Sequence, residues 1–220
     1  MVKRRKPSAG GRRTQEVRSA TSRHRLLTAA AAEFAARGFA GASVDRIARV
    51  ARVNKAMIYY HFASKAALYR EILRDMFEAV AMRVAAAAGA TATPDDKVRA
   101  FVDAIATEAE ARPHFPPIWF REIAEGGAHL DSTTLASIAA VVKSLRHILH
   151  EGCTAGRFRP VDPLLVHAGI VGPILLYFAS ASLRGRLQRG GVTGASTISR
   201  DDVVAHVQRV ALMALEGRTV

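Results

Sequence analysis

Within eleven positions of this chain stand Lys55, Tyr59, Tyr60, His61 and Lys65, a dense set of side chains whose donors suit phosphate oxygens. Asn54 and Lys55 open the segment, where a short helix would turn its first residues toward base edges. Met57 suits contact with a thymine methyl group or packing inward. Rival chemistries find less material. His147, His150 and Glu151 offer metal-ligand atoms near one helix face. They lack a cysteine pair or a His-Glu-x-x-His spacing, so solvated or core histidines are the default and no metal is expected. Glu108 with Glu110, and Arg121 with Glu122 and Glu125, read as charged helix faces. Gly126-Gly127 leads into no helix carrying a Lys-Ser/Thr pair, which argues against a nucleotide loop. No catalytic residue and no cofactor are expected, and the chain does not read as an enzyme.

The elements that must hold these donors are two short helices around a tight turn, between Ser43 and Lys65. Val44, Ile47 and Ala48, then Val53, Met57 and Ile58, have helical spacing on either side of Ala51-Arg52. Ser43, with Asp45 behind it, and Asn54 stand where each helix needs a cap. A helix pair of this size with a short, donor-rich second member is how a helix-turn-helix reads DNA.

The run Ala51-Arg52-Val53-Asn54-Lys55-Ala56-Met57-Ile58-Tyr59-Tyr60-His61-Phe62-Ala63-Ser64-Lys65 resembles the TetR (AcrR-type) transcriptional regulators. Their recognition helix ends in Tyr-x-His-Phe, followed by a short turn and a Lys that opens the next helix. Leu26-Leu27, Phe34 and Arg37-Gly38-Phe39 upstream fit the same family, and the specific similarity covers about residues 22–80. The resemblance implies phosphate contacts from Tyr59 and His61. Lys65 opens the next helix, where its charge and the free amides favour a phosphate. Ser43 and Arg52 are secondary candidates. The position of Arg52 is usually Gly in the family. A left-handed backbone there costs Arg about 1 kcal/mol relative to Gly.

The net charge of +13 is segregated. Residues 1–70 hold 16 Lys/Arg against 3 Asp/Glu, and residues 71–220 hold 16 of each. All the excess lies on the segment carrying the helix pair, as phosphate neutralisation requires. Residues 1–20, with Lys3-Arg4-Arg5-Lys6 and Arg12-Arg13, show no apolar periodicity and read as a basic disordered arm. Cys153 is the only cysteine, so no intramolecular disulfide can form and a cytoplasmic location is natural. No apolar signal core follows the basic N-terminus. Leu164–Leu183 is long and apolar enough to suggest a membrane span. His167, mid-span Pro173, Ser180 and Ser182 count against one, and a buried dimer-interface helix explains the apolarity better.

The expected architecture is all-α with about nine helices. A helix-turn-helix domain spans 21–88 with its motif at 43–62, and a helical ligand-binding and dimerisation domain spans 95–220. Helices are expected at Thr21–Arg37, Lys65–Ala88, Asp95–Ala111, Ile118–Ala124, Ser132–Cys153, about 163–183 and 200–216, with a polar loop from Gly185 to Ser199.

By resemblance the partners are double-stranded DNA, read at a palindromic operator, and a second copy of the chain. The copy would dock through helices 163–183 and 200–216, using Leu164, Leu165, Ala168, Val171, Leu175 and Phe178 with Val203, Val207, Val210 and Leu215. The family further implies that an effector enters a cavity among the helices from Asp95 onward, moves the Lys65–Ala88 helix and so takes one half-site out of register. Candidate lining residues are Phe101, Ile105, Phe115, Trp119, Phe120, Ile123, Leu145, Leu149 and Tyr177, whose sparse charge suggests an apolar or aromatic effector. The expected function is thus a ligand-responsive DNA-binding repressor. The competing expectation is an architectural protein that coats or bends DNA with low selectivity.

Overall fold

The computed structural model describes the backbone of residues 9–89 and 93–216, with side chains from residue 19 onward. Among these residues there are ten helices and no strand. They are α1 (Ala9–Gly41), α2 (Val44–Ala51), α3 (Ala56–Phe62), α4 (Lys65–Gly89), α5 (Pro94–Ala111), α6 (Phe115–Ala124), α7 (Ser132–Thr154), α8 (Pro163–Ala179), α9 (Ala181–Arg189) and α10 (Arg200–Glu216). Compact units meet within α4, one ending at Ile72 and the other beginning at Leu73. The composition break near Gly89–Pro94 therefore separates two helices and not the two units.

In the first unit, Leu26, Ala30 and Phe34 of α1 are buried with Ile47 of α2, Ile58 of α3, and Leu68 and Tyr69 of α4. Phe34 lies against Tyr69 with ring centroids 4.6 Å apart. Gly38 leaves the helix at φ 69°, where the periodicity ended it. The other end of α1 departs from expectation. Helix continues back to Ala9, so residues 9–20, read as part of a disordered arm, extend a helix already nucleated from Thr21 onward. The remaining stretch of that arm, residues 1–8, lies outside the described residues.

The second unit is built on α5, which packs against α7, α8 and α10 and buries Val98, Phe101, Val102 and Ile105. Its sequence-level surprises are at helix ends. α6 starts at Phe115, because Pro116 and Pro117 occupy first-turn positions that need no N–H partner. α7 is capped by Asp131; the Thr134 N–H donates to its carboxylate at 2.8 Å. Ser199 and Asp202 form a reciprocal cap of α10, at 2.8 and 3.1 Å.

The segment expected to be a loop from Gly185 contains α9, which is why the count is ten and not about nine. Ser180 interrupts the apolar helix, and the chain bends by 62° between α8 and α9. Arg184 donates to the Ser180 hydroxyl at 2.9 Å and to the Tyr177 carbonyl, holding the corner. No single helix among the described residues is long and apolar enough to cross a membrane.

Candidate DNA-reading surface and effector cavity

Ser43 accepts the Arg46 N–H at the start of α2, while its own N–H donates to the Glu33 carboxylate at 3.1 Å. That carboxylate also takes the Arg46 guanidinium at 2.7 Å. The first helix is therefore anchored to α1 before any nucleic acid arrives. At its far end Arg52 is left-handed, with φ 55° and ψ 47°. The Arg52 N–H donates to Arg49 O at 3.2 Å and the Val53 N–H to Ala48 O at 3.1 Å, the Schellman pattern that normally places Gly there. The guanidinium side chain is exposed.

α3 buries Ile58 and Phe62, four positions apart, and turns Tyr59 and Tyr60 between them outward. Asn54 caps its first turn, accepting the Ala56 N–H at 2.8 Å. Tyr59 is 49% exposed and Tyr60 76%. Neither tyrosine braces the core. Both point away from the Ile58–Phe62 seam. Tyr60 is the more accessible of the pair. Met57 is half-buried, and the shielded Nε2 of His61 has no hydrogen-bond partner among the described residues.

Two candidate lysines are engaged inside the chain. Lys55 pairs with Asp45 of α2 at 2.9 Å, and this carboxylate raises its pKa. Lys65 donates to Phe39 O at 2.9 Å and Ala42 O at 3.2 Å, and its ammonium stands 4.6 Å from the Phe39 ring centroid. The phosphate role expected of Lys65 meets an ammonium already committed to the end of α1.

In the second unit a narrow cavity of about 40 Å³ opens among five helices. Phe77 and Val80 of α4, Ile105 of α5, Phe115 and Trp119 of α6, Ile138 and Val141 of α7, and His167, Val171 and Leu175 of α8 line it. Phe77 packs edge-on against Phe115 and Trp119, with centroids 5.4 and 4.8 Å away. Of the nine expected lining residues, Ile105, Phe115 and Trp119 are on this wall. Phe101, Leu145 and Leu149 are core instead, each no more than 3% exposed. Ile123 faces outward, and Phe120 is half-buried off the cavity. Tyr177 belongs to a different concavity, where its hydroxyl donates to Ile198 O at 3.0 Å and Arg184 covers its ring. Periodicity marks which residues are buried; it does not separate a cavity wall from solid core. The residue most open to discovery from sequence was His167, the lone imidazole in an apolar helix.

Charged clusters elsewhere have internal partners. Glu151 accepts Lys97 at 2.6 Å and His147 at 3.1 Å, so a lysine sits where a metal ion would. Glu122, read from sequence as part of a charged face, is wholly buried and pairs with His129 Nδ1 at 2.8 Å. Glu122, Glu125 and His129 have donor atoms within 4.8 Å of one another, the one group among the described residues close enough to share a metal ion. The Glu122–His129 bond accounts for the buried carboxylate by itself.

Residues 26–72 match the family described as bacterial regulatory proteins, tetR family, and residues 94–203 match the tetracyclin repressor-like C-terminal domain. The HTH-type transcriptional repressor NicS of Pseudomonas putida is 28% identical over 196 residues, spanning 88% of this chain and 92% of that protein. A tetR-family regulatory protein from Rhodococcus RHA1 has the same fold, with TM-score 0.71 at 19% identity over 88% of this chain and 96% of that one. FadR from Bacillus subtilis, solved in complex with stearoyl-CoA, aligns with TM-score 0.66 at 18% identity over 88% of this chain and 98% of its own.

Proposed function

The chain belongs to the TetR family and is a DNA-binding transcriptional regulator, and we propose that it acts as an effector-released repressor, dimeric on a palindromic operator. The observation that carries the DNA half is the outward face of α3, with Lys55, Tyr59 and Tyr60 exposed beside the exposed Arg52 and the cap Asn54. Asn54 and Lys55 meet base edges, and Arg52, Tyr59, Tyr60 and His61 track phosphates. Ser43 offers its hydroxyl from the start of α2. The segregated +13 charge supplies the salt-dependent part of the affinity.

Dimerisation follows from the outer face of α8. Leu164, Leu165 and Leu176 are 59%, 74% and 59% exposed, and Val210 of α10 is 43% exposed. Ala168, Gly169 and Gly172 lie among them, and a Cβ at either glycine would meet nothing within 4 Å. A second copy can therefore approach closely over a face that is costly to leave in water. Leu175, Val207 and Leu215, assigned to this face from sequence, point into their own protomer and are withdrawn from it.

The effector site is the cavity beside Trp119. Occupancy there is coupled to DNA affinity through α4, whose residues Phe77 and Val80 form part of the wall. Selection from a randomised duplex pool at physiological salt tests the proposal. A palindromic motif bound by two chains is expected. Retained binding without any motif would reject it in favour of a low-selectivity DNA-coating role.

A further inference from the structure

The concavity that holds Tyr177 lies where α8, α9 and α10 meet and has a volume of about 570 Å³. It shares no lining residue with the cavity beside Trp119. Pro173 and Leu176 of α8 give it apolar surface, with Ile198 and, from α10, Val203. Its charge is one-sided. Arg184 of α9 and Arg209 of α10 both line it, and neither has an acidic partner among the described residues. The one acid in the wall, Asp202, is already taken by the N–H and hydroxyl of Ser199, at 2.8 and 2.6 Å. Elsewhere in this unit Arg74, Arg83, Arg157 and Arg200 are paired with carboxylates, so these two guanidinium groups have charge left to offer. Arg184 is also held in place before any guest arrives. Its Nη1 donates to the Tyr177 carbonyl and, at 2.9 Å, to the Ser180 hydroxyl, and its guanidinium lies 3.9 Å from the Tyr177 ring centroid. Nη2 keeps its donors free of any partner among the described residues.

We propose that this concavity is a second small-molecule site, for an amphiphile with an anionic head and a short apolar body. The head, a carboxylate or a phosphate, pairs with Arg184 and Arg209, while the body lies on Leu176, Ile198 and Val203. The space is of the order that small-molecule sites occupy, roughly 300–1,000 Å³. An oxyanion receives charge-assisted bonds from planar guanidinium donors, and a hydroxyl on the same body receives much weaker ones. Leu176 is the one lining residue shared with the face of α8 assigned to the second copy, whose other members Leu164, Leu165 and Gly169 lie nearer the start of that helix.

Octanol, octanoate and octyl phosphate carry one chain and differ in the head alone. Their affinities for the full-length protein are measured by calorimetry. Where they bind is read from the methyl resonances of Ile198 and the indole resonance of Trp119, the chain's only tryptophan. Both anions are expected to bind about tenfold tighter than octanol and to shift Ile198 but not Trp119. The tighter of the two identifies the head group. Arg209 is exposed, so Arg209→Gln should fold normally, leave octanol binding intact and erase most of the preference for anions. Val203→Trp should fill the apolar part and abolish binding of all three with an unchanged circular dichroism spectrum. Octanol as tight as both anions, an anion preference undiminished in Arg209→Gln, or shifts at Trp119 without shifts at Ile198 would each overturn the proposal. None of these results bears on whether the cavity beside Trp119 takes an effector of its own.

Discussion

Lys65 holds Phe39 twice, through a 2.9 Å hydrogen bond to its carbonyl and through its ammonium 4.6 Å from the ring centroid. With the second bond to Ala42 O, one side chain from the start of α4 closes the carbonyl end of α1. Lys65→Ala should therefore destabilise the protein by about 1–3 kcal/mol, the range for losing charged hydrogen bonds to partly buried carbonyls. Urea unfolding measures this. An unchanged midpoint, with only a lower salt slope for DNA binding, would return Lys65 to the phosphate-contact role.

Asp45 competes with DNA for Lys55. The pair is exposed at both ends, 65% and 47%, so it is weak and easily displaced. Asp45→Asn should tighten binding to operator and non-operator duplexes alike and steepen the salt dependence by about one. Titrations at several salt concentrations check it; unchanged affinity would mean that Lys55 is already free of Asp45 in solution.

Arg52 occupies a left-handed position that Gly fills at lower cost. Arg52→Gly should stabilise the protein by about 1 kcal/mol and weaken DNA binding. The two effects have opposite signs, so thermal unfolding and duplex titration together separate the backbone role from the charge role. Loss of both stability and affinity would contradict the assignment.

Asp131 caps α7 and accepts Arg74 at 2.7 Å. The Thr134 N–H, then Arg74 and the Thr134 hydroxyl, hold its carboxyl down to about 2. The folded pKa lies below the unfolded one, so this stabilisation is complete above roughly pH 4 and is lost as pH falls toward 2. It amounts to about 2 kcal/mol. Asp131→Asn should lower stability at pH 6 and flatten its decline over that window. An equally steep decline in the variant would place the acid sensitivity elsewhere.

Leu165 and Leu175 lie on one helix with opposite roles, at 74% and 1% exposure. Leu165→Arg should yield a folded monomer with weakened operator binding, whereas Leu175→Arg should unfold the second unit. Sedimentation and circular dichroism distinguish the two; an intact dimer in Leu165→Arg would move the interface.

Much of this molecule is determined by short-range pattern. The seam of Ile47, Ala48, Ile58 and Phe62, the caps at Ser43 and Asn54 and the end of α1 at Gly38 depend on residues no more than a turn or two apart. Helical periodicity and capping chemistry are local, so the DNA-reading motif and the all-α class were legible without coordinates. The starts of α1 and α6 and the existence of α9 were less so, because a polar or proline-led segment joins a helix when its neighbour has already nucleated it.

What tertiary structure decided is which partner each group meets. Position alone does not tell that Lys65 turns back to Phe39, that Glu122 is buried against His129, or that Leu175 faces inward while Leu176 faces out. Gly152 shows the same limit: a Cβ there would stand 1.9 Å from the Phe158 ring, a contact made only when the chain after α7 folds back. The cavity is the largest case. Phe101 and Ile105 share one apolar stripe, yet only Ile105 borders empty space, because a void is a property of five helices packed together and of no single helix.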